Sequence, residues 1–186
     1  MKIDLKINTH LDITEIDFRV QSVNKGGYAT ILAYKDARVD MKRLDDVYGV
    51  EGWQKKYELI DNHLFCSVGI WSDKLSQWIW KQDVGTESNT EKEKGEASDA
   101  FKRACFNLGI GRELYDYPLI QIQLTADEFD KTTGKPTWNF KLKEWKWASQ
   151  FTDGKLTFLY VKDNKDVKRF LFGKYTAEET QTLKSA

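Results

Sequence analysis

The sequence predicts an α+β fold: an antiparallel three-stranded meander, then one long amphipathic helix, then a small β-rich extension. Three observations carry this expectation. Segments 53–60, 64–71 and 77–84 are strand-like and are separated only by Asp61-Asn62 and Ser72-Asp73-Lys74, both turn-forming. Ala97, Ala100, Phe101, Ala104, Cys105 and Leu108 recur at the spacing of a single helical stripe. Beyond Pro118 the chain breaks into short segments at Gly134-Lys135-Pro136, Asp153-Gly154 and Asp163-Asn164.

Each element has its own signal. Residues 15–20 and 28–34 read as two strands around the turn Asn24-Lys25-Gly26-Gly27. A helix is expected over 36–48, because Ala37, Met41, Leu44 and Tyr48 form one stripe, and Gly49 and Gly52 stop it. In the meander, Leu64, Cys66, Val68 and Ile70 alternate with Phe65, Ser67, Gly69 and Trp71. Thr90 and Glu93 fit a capping box opening the second helix, which ends at Gly109 or Gly111. Residues 124–129 suggest one helical turn, and 138–147, 156–161 and 167–172 suggest short strands. The expected organisation is a core over 1–119, an extension over 120–175 and a frayed tail over 176–186.

Composition excludes several classes. At 186 residues, 40% apolar and 31% charged, the chain is too apolar for a disordered tail and has no apolar run of membrane-spanning length. The charged N-terminus lacks the apolar region of a secretory signal, and two cysteines are too few for a disulfide framework, so a reducing cytoplasm is expected. Cys66 and Cys105 each sit on an apolar face, where packing explains them. The 29 basic and 29 acidic residues balance, which argues against binding nucleic acid by bulk charge but leaves room for a local basic groove.

Signals for catalysis are poor. There is no phosphate-binding GxxxxGK[ST] loop and no GxSxG, and His10 and His63 are the only histidines, so no catalytic residue, metal or cofactor is expected. Asp130 with Glu144-Trp145-Lys146 loosely matches the carboxylates and lysine of metal-dependent nucleases. That pattern is short enough to arise by chance, and a solvated strand face is the expected reading.

The helix after the meander carries the better signal. At 100° per residue, Lys102 and Arg103 each lie about 130° from the centre of the apolar stripe, one on either side. They are flank residues facing outward. Periodicity alone suggests solubilising cations, with Glu96 and Asp99 as partners for Arg103.

ASDAFKRACFNLGIGRELYDYP (97–118) closely resembles the signature segment of single-strand annealing proteins in the Rad-fifty-two superfamily, best of all the short phage-encoded, Sak-like members. IDFRVQS (16–22), LAYKDARVDMKRLDDVYGVEGWQ (32–54) and WIWKQDVGTES (78–88) resemble further segments of that family in the same order. The resemblance spans about residues 13 to 118 and leaves 120–186 unmatched. It implies a β-β-β-α core, a bent antiparallel sheet with a helix across it. It also implies assembly into rings or open arcs that hold single-stranded DNA in an outer basic groove without ATP.

By matching motif, Lys102 and Arg103 would meet DNA phosphates, assisted by Arg112 and by Lys25 or Arg19 of the first hairpin. Lys92 and Lys94 are loose counterparts of further basic residues. Eukaryotic members carry one more Arg where this chain has Phe106. The function implied is ATP-independent strand annealing in homologous recombination and DNA repair, by a non-enzymatic homo-oligomer of phage or prophage origin. A single-stranded-DNA-binding protein or an exonuclease is a candidate partner, and no membrane is. A non-annealing single-strand-binding module and a metal-dependent nuclease are the alternatives. Trp71, Trp78 or Trp80 is expected near the core or a subunit contact. Trp138, Trp145 and Trp147 are open to stacking on DNA or to packing.

Overall fold

The computed structural model describes residues 6–86 and 92–174; of residues 92–94 only the backbone is described. The chain runs β1 (Asp17–Val23), β2 (Tyr28–Tyr34), α1 (Ala37–Tyr48), β3 (Trp53–Ile60), β4 (His63–Ser72), β5 (Gln77–Val84) and α2 (Lys92–Leu108). There follow β6 (Ile120–Gln123), β7 (Phe129–Asp130), β8 (Lys135–Pro136), β9 (Lys146–Thr152), β10 (Lys155–Lys162) and β11 (Lys168–Gly173). The protein is α+β with antiparallel sheets, as the sequence predicts. Thr90 and the Glu93 side chain of the expected capping box, and the tail over 176–186, lie outside the described residues.

The chain divides into two compact units, the first formed by residues up to 15 and 35–112, the second by 16–34 and 113 onward. The first holds the meander, in the order β3-β4-β5. Its two hairpins close as expected; the Asp61-Asn62 turn has both residues at positive φ, 50° and 62°, which suits the right-handed twist of the flanking strands. Helix α2 covers one sheet face. Ala100, Phe101, Ala104 and Cys105 are buried against Cys66 and Val68 of β4. Small residues permit this approach, and Gly85 makes it closer still, because a Cβ there would lie 2.3 Å from the carbonyl oxygen of Glu96.

Helix α1 starts one residue later than expected. Asp36 is its N-cap, and its carboxylate accepts the Arg38 backbone N–H at 2.8 Å. Gly49, at φ 73°, ends it by donating its N–H to the Asp45 carbonyl. Its buried seam differs from the apolar stripe in the sequence. Leu44 is buried, but so are Asp40 and Arg43, while Ala37, Met41 and Tyr48 are half-covered. Each buried charge has a partner. Asp40 pairs with Lys35, and Arg43 donates to the Thr9 carbonyl at 2.5 Å and faces Glu15 at 3.6 Å.

The second unit is built around the first hairpin. β1 pairs with β2, and β2 pairs on its other edge with β6. β6 lies just beyond the boundary expected at 119/120, so the hairpin and the extension share a sheet. A second sheet has the order β11-β10-β9. Ile31, Ile120, Ile122, Leu156, Leu159 and Val161 belong to one buried apolar cluster. Arg169 stands beside it, donating to both carboxylate oxygens of Glu128 at 2.9 and 2.7 Å and to Asp163 at 3.1 Å. The strand expected over 138–147 is corrected: 142–144 form a 3-10 turn that brings Leu142 into the core, and strand structure starts at Lys146. The Gly134-Lys135-Pro136 loop contributes β8, paired with β7.

Candidate nucleic-acid interface

The cations singled out in the sequence fall on both units. Lys102 and Arg103 lie on α2 and Arg112 just past its end, all in the first unit; Arg19 and Lys25 lie on the β1–β2 hairpin of the second. Lys92 and Lys94 open α2, and their side chains are outside the described residues.

Lys102 and Arg103 occupy opposite flanks of α2, as periodicity requires. Arg103 faces β5, where its Nε donates to Asp83 Oδ1 at 3.2 Å. Asp83 is itself fixed, accepting from the Val84 backbone N–H at 2.8 Å and from the Asn107 amide at 3.2 Å. The partners expected for Arg103 are used elsewhere. Glu96 accepts the Leu64 backbone N–H at 3.1 Å, and Asp99 accepts from Thr86 N–H and hydroxyl at 3.0 and 2.9 Å. These two carboxylates bind helix to sheet, and the pairing expected within α2 gives way to one with β5. The Arg103 side chain stays 40% exposed, and Asp83 engages its Nε.

On the other flank, the Lys102 ammonium acts on Lys35, Asp36 and Asp40. It has no hydrogen-bond or ion-pair partner among the described residues. Beneath it, Lys35 is 2% exposed and Asp40 0%. Burial pushes the Asp40 carboxyl up to about 6 against the opposing pull of Lys35. Burial also lowers Lys35, Asp40 opposing it. The Lys35 ammonium sits 4.4 Å from the centre of the Phe106 ring. Phe106 thus caps a buried cation at the position where a third groove cation was looked for.

Arg112 has a local task. Its Nε donates to the Phe106 carbonyl at 2.6 Å and its Nη2 to the Asn107 carbonyl at 2.9 Å, satisfying acceptors at the end of α2. Arg19 is exposed, with its guanidinium 5.7 Å from the Tyr34 ring centre. Lys25 is exposed at the hairpin tip, in a turn where Asn24 Oδ1 accepts from the Gly26 and Tyr28 backbone N–H groups.

Two further cations were missed. Lys55 and Lys81 both lie opposite Val68 in the register, so they project from the helix-covered face on either side of β4. The Lys55 ammonium is 4.5 Å from the Phe101 ring centre. The alternations Trp53-Lys55-Tyr57 and Ile79-Lys81-Asp83 carry this information once the meander register is known. On the opposite face, Trp71, Trp78 and Trp80 form a row, with ring centres 5.6 and 6.3 Å apart. Trp71 and Trp80 are exposed there, not in the core.

The nuclease pattern is dispersed into local contacts. Asp130 accepts from Thr132 and Thr133, Glu144 from the Asn164 amide at 2.9 Å, and Lys146 faces Asp166 at 3.5 Å. No cluster of three candidate metal ligands occurs among the described residues. Burial raises the Cys66 thiol to about 11 and raises that of Cys105 further, so both stay protonated. No helix among the described residues is long and apolar enough to cross a membrane.

No family model matches the chain. It is similar to the single-stranded DNA-binding protein DdrA of Deinococcus radiodurans, 34% identical over 93 residues, covering 48% of this chain. The match spans 43% of that relative, less than half its length.

Proposed function

We propose that the protein binds single-stranded DNA through the flanks of α2 and anneals complementary strands without ATP, in recombination and repair. The observation that carries this reading is the pair Lys102 and Arg103. They sit on opposite flanks of one helix, Lys102 without an ion-pair partner among the described residues and Arg103 oriented by Asp83. Lys55 and Lys81 extend the positive surface onto the sheet. The DdrA relative, a single-stranded DNA-binding protein by name, supports the ligand.

Point cations on a rigid helix hold phosphates without reading sequence. Base edges then remain free to test a second strand, which annealing needs and a coating protein prevents. The protein acts by binding, not by bond cleavage, with neighbouring copies in a ring or arc extending the cationic surface. β3 and β5 are open edges of the meander, and open edges favour pairing or cover by another copy.

An annealing assay with two complementary oligonucleotides tests the reading. The protein is expected to accelerate duplex formation without nucleotide and without Mg²⁺. Slowed pairing would mark a coating protein, and Mg²⁺-dependent cleavage would mark a nuclease.

A further inference from the structure

The three tryptophans of the C-terminal part are equal candidates in the sequence, and the structure separates them. Trp145 is buried, with Phe140 edge-on at 5.2 Å and the Arg169 guanidinium 4.5 Å from its ring centre. Trp147 lies flat on Phe18, centres 3.5 Å apart and planes 3° from parallel. Trp138 is 81% exposed, and its ring meets the Lys141 ammonium at 4.8 Å.

Trp138 also lines a cavity of about 560 Å³ within the second unit. That size falls in the range of roughly 300–1,000 Å³ usual for small-ligand sites. Phe18, Phe140 and Leu142 give it apolar surface, and Arg19 and Lys143 give it charge. Its one carboxylate, Glu144, is already engaged by Lys141 at 3.5 Å and by the Asn164 amide at 2.9 Å. Arg19 and Lys143 form no ion pair among the described residues. The cleft thus combines an accessible indole, apolar lining and unneutralised cations. A nucleotide answers all three, because its base has a flat face for stacking and its phosphate carries the opposite charge. A free phosphate would leave the indole and the apolar lining unused.

We infer that this cleft holds one unpaired nucleotide of single-stranded DNA, the base against Trp138 and the phosphate on Arg19 and Lys143. The inference rests on the single-strand reading above. It adds a contact in the second unit that depends on the base, whereas Lys102 and Arg103 depend on the backbone.

The test uses the full chain and two labelled probes, a thymidine oligonucleotide and an abasic oligonucleotide of the same length. Trp138→Ala is expected to weaken thymidine binding by about fivefold or more, the loss of one stacked base. It should leave abasic binding unchanged, and Trp138→Phe should recover part of the loss. Equal thymidine binding by wild type and Trp138→Ala would overturn the inference while leaving the single-strand reading intact. Equal weakening on both probes would overturn it too, marking a cleft that holds the DNA backbone and no base. If wild type binds neither probe, the single-strand reading itself falls.

Discussion

The two units spend their polar residues differently. In the second, Arg169 is held from two sides by Glu128 and Asp163, beside a self-contained apolar cluster. In the first, the meander is covered by α2 on one face only, β3 is exposed along almost its whole length, and a row of tryptophans lines the other face. Among the described residues Arg103 is held by the single carboxylate of Asp83, and Lys102 has no hydrogen-bond or ion-pair partner. The first unit therefore has the less finished sheet surface of the two. Residues that a fold leaves unsatisfied are better pointers to binding than residues it consumes, as Arg112 shows by its absorption into the end of α2.

Substitutions that break each buried charge group should give the largest effects. Lys35→Met leaves Asp40 buried without its cation and should cost about 3–5 kcal/mol in urea denaturation. Adding Asp40→Leu should restore much of that loss, since an apolar pair of similar volume is often neutral. Arg169→Met should cost a similar amount in the second unit, with hydrogen exchange locating the loss in β10 and β11.

Acidity sharpens the contrast. Asp40 is raised to about 6 when folded from an ordinary 3.8, so the folded chain binds the extra proton between those values. Its contribution to stability is full below pH 4 and is lost as pH rises through about 6. Glu128 and Asp163 are lowered: burial opposes this, but Glu128 is held down chiefly by Arg169 with help from Thr125, and Asp163 by the backbone N–H groups of Val167 and Lys165 and then by Arg169. Their contributions are present above the ordinary carboxylate range and lost as pH falls below it. Denaturation across pH 3–7 should show the Asp40→Asn variant lacking the decline between 4 and 6.

Smaller effects are expected at the surface. Arg112→Ala removes two hydrogen bonds to carbonyls at the end of α2 and should cost about 1 kcal/mol, read by thermal melting. Asp83→Asn removes the charge that orients Arg103 and should change folding little while altering DNA affinity. An affinity titration against wild type measures it, and an unchanged affinity would show that orientation of Arg103 is irrelevant.

Local patterns in the sequence reached most of the first unit. Alternation with turn residues marked the meander, and the alanine stripe with its stop at Gly109 or Gly111 marked α2, because these signals lie within one element or its turns. The partners did not show. Asp40 and Arg43 read as polar helix residues, and only the tertiary fold brings Lys35 and Thr9 to them. β6 was missed because IQIQ is four residues long and its meaning depends on β2, some ninety positions earlier in the chain. Lys102 and Arg103 were legible by angle, but the attachment of Arg103 to Asp83 was not. Helical spacing offered Glu96 and Asp99, which the fold uses to anchor α2 to the meander.

The central claim is that Lys102 and Arg103 grip phosphates, and the salt dependence of single-strand binding tests it most directly. Affinity for a thymidine oligonucleotide would be measured over a range of salt for wild type and for Lys102→Ala with Arg103→Ala. The double variant should fold normally, bind more weakly, and lose about 1.4 from its log–log salt slope, two phosphates at about 0.7 each. An unchanged slope with unchanged affinity would contradict the account.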